Sequence, residues 1–174
     1  MKKPSWRKPQ LTDRHRRSFF TQIIASSGLL AVGSTLAAKV EAPEDVNELH
    51  FPGDPPTNKV VYQFNKADAD YHDQVIFSVG AMLRKYGDDI HLVVTCFGPG
   101  VHVLANKPKR PVAKEIQQRI ASLDIYGVEF HACGNTLKSL NWTKKDLLPF
   151  VKVVEVGAAD LLELQQQGYA YISW

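Results

Sequence analysis

The residue best placed to do chemistry in this chain is a cysteine where a buried strand runs into a helix start. The segment Val128-Glu129-Phe130-His131-Ala132-Cys133-Gly134-Asn135-Thr136-Leu137 reads as a short apolar strand followed by small and polar residues that open a helix. A thiol at that seam faces backbone N–H groups, which favour an anion, so its chemistry would be that of a thiolate. The N–H groups of Gly134, Asn135 and Thr136 would stabilise it, Gly134 would leave the sulfur's approach clear of a side chain, and Asn135 would cap the turn. The competing reading is plainer: a cysteine after a buried strand is often only a small core residue.

Two nearby residues bear on the same chemistry. His131 precedes Cys133 by two positions, so in an extended strand both side chains leave one face about 7 Å apart, from a rise of about 3.3 Å per residue. That is too far for direct hydrogen bonding. His131 therefore reads first as a satisfied buried histidine and second as an imidazolium acting through its field. Cys96, the second thiol, also ends an apolar strand, just before Phe97-Gly98-Pro99-Gly100. In a strand order 2-1-3-4-5 the first strand would separate the two cysteines by about 9 to 10 Å, beyond the roughly 7 Å Cα limit for a bridge. Two free thiols are the expectation, with Cys96 as a packed residue or, alternatively, a resolving thiol.

The other polar features suggest less. Gly98-Pro99-Gly100 could present N–H groups to an anion but lacks the spacing of a Walker loop or a dinucleotide fingerprint. His72, His91 and His102 show no ligand spacing with one another or with the cysteines. No cofactor and no metal held within one chain are expected. Lys107, Lys109 and Arg110 read as a solvated loop.

The elements that must hold these residues follow from periodicity. A β-branched and aromatic run at 60–64 is a strand. After it, Asp68, Asp70 and Asp73 precede a stripe of Val75, Val79, Met82, Leu83 and Tyr86, then Arg84, Lys85 and a stop at Gly87, which together make an amphipathic helix. Strands are expected at 90–95, 128–132, 151–156 and 169–174. A helix carrying Val112, Ile116, Ile120 and Leu123 precedes the third, a short one capped by Thr143-Lys144-Lys145-Asp146 and stopped by Pro149 precedes the fourth, and one at 158–167 precedes the fifth. Near-continuous apolar strands alternating with helices imply an α/β fold: a mostly parallel sheet with helices on both faces. In such sheets ligands bind beyond the carboxyl ends of the strands, where both cysteines fall.

Composition sets the frame. Of 174 residues, those up to about 42 read as a targeting leader: a basic start, the pair Arg16 and Arg17 in Arg14-His15-Arg16-Arg17-Ser18-Phe19-Phe20, a diluted apolar stretch, then small residues. The pair resembles a twin-arginine export signal, which implies a periplasmic or cell-envelope location and membrane contact through the leader alone. Residues 43–58 form a proline-rich linker and 59–174 the single domain. The formal charge of +3 misleads, because eight of the 21 Lys/Arg but only two of the 18 Asp/Glu lie in the leader. The remainder is net acidic, which argues against nucleic acid.

Several segments together carry a family likeness: the Asp-rich helix start after Phe64-Asn65, the turn Val93-Val94-Thr95-Cys96-Phe97-Gly98-Pro99-Gly100-Val101, the element Ala132-Cys133-Gly134-Asn135-Thr136-Leu137, and Val154-Glu155-Val156-Gly157-Ala158-Ala159-Asp160-Leu161 leading to Gln165-Gln166-Gln167-Gly168-Tyr169-Ala170-Tyr171-Ile172. They resemble the DsrE/DsrF-like family of small sulfur-handling proteins, over about residues 59–174. The resemblance implies a flavodoxin-like five-stranded domain that assembles into trimers or hexamers. It also implies, as in the sulfur-relay members, a cysteine that carries a persulfide between donor and acceptor proteins or small thiols, which makes the chain a sulfur carrier or a sulfurtransferase component. Cys133 matches that cysteine's place, and Asn65, Gly98, Gly134 and Asn135 would shape the pocket. The export leader departs from the cytoplasmic relay members. The alternative is a non-catalytic oligomeric module that binds a small ligand or partner, with both cysteines merely packed.

Overall fold

Apolar runs too continuous to leave either side wet alternate with amphipathic helices, and the outcome is one parallel sheet between two layers of helix. The computed structural model describes residues 53–174; the leader with Arg16 and Arg17, and the linker up to residue 52, lie outside the described residues. The order is β1 (Asn58–Phe64), α1 (Ala69–Tyr86), β2 (Ile90–Cys96), a 3-10 helix (Gly98–Leu104), α2 (Lys114–Ile125), β3 (Glu129–Cys133), α3 (Gly134–Leu140), a 3-10 turn (Lys144–Asp146), β4 (Lys152–Val154), α4 (Gly157–Gln166) and β5 (Ala170–Ile172). No described helix is long and apolar enough to cross a membrane.

Local chemistry explains the boundaries. Asp68 caps α1 by accepting from the Tyr71 N–H at 3.0 Å, and Gly87 ends it with a φ of +58° while its N–H closes on the Leu83 carbonyl. The Thr143–Asp146 capping box forms as expected, both the Thr143 N–H and its hydroxyl donating to Asp146. The glycine turn after β2 is more regular than expected, being a seven-residue 3-10 helix. The outer strands are shorter than the apolar runs suggested, with only three residues each in β4 and β5.

All pairings within the described sheet are parallel, in the order β4-β3-β2-β1-β5. This layering is that of a flavodoxin-like α/β fold, but the order 2-1-3-4-5 does not hold: β2 lies between β1 and β3. The reason is directional. From β1 to β4 the chain always steps the same way, and right-handed crossovers then put α1, α2 and α3 on one face; the return to β5, beyond β1, sends α4 to the other. The main core lies on the first face, where Val60, Tyr62, Phe64, Leu92, Val94, Cys96, Phe130 and Ala132 meet α1 and α2. On the second face, among the described residues, Val61, Val93, Leu161 and Leu164 form the buried apolar cluster, and α4 covers a face that is largely polar along β3.

Candidate functional site

The crossovers after β3 and β4, adjacent strands, leave toward opposite faces, which makes the gap between their carboxyl ends the topological switch point of the sheet. Cys133 stands there. It is the last residue of β3 and the N-cap of α3, and by strand alternation it points to the α4 face. α4 begins directly over it. A Cβ on Gly157 would sit 3.1 Å from the Cys133 Cβ and 3.2 Å from the Phe97 ring, so only glycine lets the first turn of α4 settle on the sulfur.

The sulfur is surrounded by donors. Burial pushes its pKa up, yet the Gly157 N–H, the Thr136 N–H and hydroxyl and the Asn135 N–H together outweigh that and hold it below the ordinary thiol value. The Thr136 hydroxyl is oriented for this, because it accepts from the Gly98 N–H at 3.0 Å, which leaves its own proton free for the sulfur. The expected donors are therefore partly corrected. Asn135 and Thr136 contribute, but Gly134 serves another purpose: its missing side chain lets β4 approach, since a Cβ would lie 3.0 Å from the Val154 carbonyl oxygen. The open approach to the sulfur expected from Gly134 is also corrected, for Cys133 is 6% exposed.

Beneath α4 the polar groups of this face join in one chain. Asp160, in the first turn of α4, accepts from the Thr95 hydroxyl at 2.6 Å and faces His131 Nδ1 at 2.8 Å. His131 Nε2 faces Glu129 at 3.2 Å, Glu129 faces His91 Nε2 at 3.1 Å, and His91 Nδ1 meets the Tyr169 hydroxyl at 2.6 Å. His131 is thus the satisfied buried histidine that the sequence suggested. For Asp160 and Glu129, burial raises the pKa but the His131 hydrogen bonds, with Thr95 helping Asp160, bring both below the usual carboxylate range. A recess of about 320 Å³ lined by Val154, Glu155, Val156, Ala159, Asp160 and Glu163 lies beside the start of α4.

The remaining candidates are not gathered round the sulfur. Cys96 is paired in register with Ala132, so it faces the opposite side of the sheet from Cys133, fully buried in the main core, where desolvation pushes its thiol far above the ordinary value. Both cysteines are free. They sit on adjacent strands, not two apart, and what separates them is the face each occupies. Gly98 reaches the site only through Thr136, and Asn65 adjoins Gly98 but hydrogen-bonds to Tyr71. Among the described residues no group of three or more His, Cys, Asp or Glu could hold a metal. Local sequence does not mark Gly157 and Asp160 as site residues; the signal they offer is a glycine opening a helix directly after a strand, with an acid one turn later.

Comparison with known proteins agrees with this architecture. No curated protein matches the chain. Among solved structures, a protein of unknown function, MTH1491 from Methanobacterium thermoautotrophicum, is 26% identical, with a TM-score of 0.61 over 67% of this chain and 99% of its own. Another of unknown function, BT1422 from Bacteroides thetaiotaomicron, is 16% identical, with a TM-score of 0.52 over 67% of this chain and 95% of its own, a likeness of fold alone. The DsrE/DsrF-like family itself matches residues 58–174, the whole of the sheet and its helices. The chain therefore belongs to the DsrE/DsrF-like family.

Proposed function

We propose that this protein handles sulfur through Cys133, as a persulfide carrier or sulfurtransferase component. The observation that supports it is the convergence of Gly157, Thr136 and Asn135 donors on one sulfur at the switch point of the sheet, in a chain of this family. The Cys133 thiolate attacks the outer sulfur of a donor persulfide, an S–S bond forms at Cys133 as the donor's S–S bond breaks, and the donor leaves as a thiolate. An acceptor thiolate then takes the outer sulfur and returns Cys133 to its starting state. No external oxidant is required. Incubation with a polysulfide donor should add the mass of one sulfur atom to the wild-type chain and none to Cys133→Ser. A Cys133→Ser chain that loads as readily as wild type would end the proposal.

The burial of Cys133 favours a second reading, a non-catalytic binding module in which both cysteines are packed. Alkylation separates the two: rapid reaction of Cys133 with iodoacetamide at about pH 6 supports the carrier, and silence until denaturation supports the module. We further propose export to the periplasm or cell envelope by the leader, with assembly into a trimer or hexamer. Arg16→Lys with Arg17→Lys should retain the protein in the cytoplasm; unchanged fractionation would sink the export reading.

A further inference from the structure

Asp160 is an expensive residue where it stands, since it is a carboxylate in the first turn of α4 buried against the sheet, three residues after the Gly157 that packs on Cys133. Two negative charges on one face of the sheet oppose each other, and nothing in the apolar contacts of α4 requires an acid. His131 answers the difficulty. Its ring is 1% exposed and both nitrogens face carboxylates, Nδ1 at 2.8 Å from Asp160 and Nε2 at 3.2 Å from Glu129; only the doubly protonated ring donates to both. We propose that His131 is the counter-charge of the Cys133 site: as an imidazolium between Asp160 and Glu129, it cancels the charge Asp160 brings to this face of the sheet and keeps a thiolate favourable at Cys133.

The groups facing His131 are few. Asp160 comes from α4, Glu129 and Cys133 from its own strand, Thr95 and, through Glu129, His91 from β2, and Lys152 from β4, whose Nζ lies 4.0 Å from Glu129. Glu163 lies one turn beyond Asp160 in the same recess. His131 is a positioning residue, acting on the sulfur through the field at a separation of about 7 Å along the strand.

This rests on the reading of Cys133 as a thiolate, and the test keeps the two apart. The rate of iodoacetamide alkylation of Cys133 is measured against pH in the full chain. His131→Gln should move the midpoint up by about one unit, a roughly tenfold loss of rate at about pH 6. Adding Asp160→Asn to that variant should bring the midpoint back about halfway or more, because the uncompensated charge is then gone. Structural damage would instead accumulate. Ring nitrogen shifts of His131 in the wild-type chain, which involve no substitution, should show a proton on each nitrogen in the folded protein. A neutral ring, an unmoved His131→Gln profile or a double variant shifted further than the single overturns the counter-charge. A wild-type sulfur that reacts only after denaturation overturns both this and the carrier reading.

Discussion

At the scale of single residues, the behaviour of Cys133 depends on hydrogen atoms aimed at it from two segments, the starts of α3 and α4. Thr136 contributes two of them, and its hydroxyl proton is directed by the Gly98 N–H behind it. Thr136→Val removes that proton while keeping the shape, and a hydrogen bond to a charged group contributes about 1.5 kcal/mol or more. The thiolate fraction at neutral pH should fall roughly tenfold, read as a slower alkylation rate, and because the Gly98 N–H loses its acceptor the melting temperature should fall as well. His102 offers a residue-scale test of stability. Burial, then the charges of Arg110 and Lys109, hold its pKa below the ordinary imidazole value, and its Nδ1 accepts from the Lys109 N–H at 3.2 Å. The folded ring stays neutral where the unfolded one takes a proton, so stability is full above about pH 6.5 and declines as pH falls below it. Chemical denaturation should show that decline reduced in His102→Gln; an identical pH slope in both proteins would contradict it.

At the scale of elements, close backbone approaches decide what the helices can reach. Gly100, in the 3-10 helix after β2, lies so near the end of β1 that a Cβ would collide with the Phe64 carbonyl and stand 2.8 Å from the Asn65 nitrogen. Gly100→Ala should cost about 3 kcal/mol, as overpacking against rigid backbone does, and the midpoint of urea unfolding would report it. The positions of the elements were legible in the sequence because periodicity is local: Val75, Val79 and Ile120 recur on a helical stripe, and Val60, Tyr62 and Phe64 alternate in a strand. Their order in the sheet was not, because nothing local says whether a crossover steps left or right. The site divides in the same way. Cys133, Asn135 and Thr136 are neighbours in sequence and were readable, whereas Gly157 reaches Cys133 and Asp160 reaches His131 only once α4 docks, contacts between distant parts of the chain.

At the scale of the whole molecule, the two faces of the sheet are unequally finished. Among the described residues three helices and a 3-10 segment bury the first, while α4 lies over the second, and Leu162, Tyr171 and Trp174 remain exposed, Leu162 by 56%. Such uncovered apolar groups favour association. The proposed trimer or hexamer should appear in sedimentation as a mass several times that of one chain, and Leu162→Glu should shift it toward the monomer; a monomeric wild type at high concentration would contradict it. The covering of the sulfur has a further consequence in time. β3 and its cysteine are synthesised before residues 157–166, the segment that closes over them. Until those residues dock, the thiol lacks the cover of α4, so any stage of folding that sets β3 before α4 leaves the sulfur open to solvent.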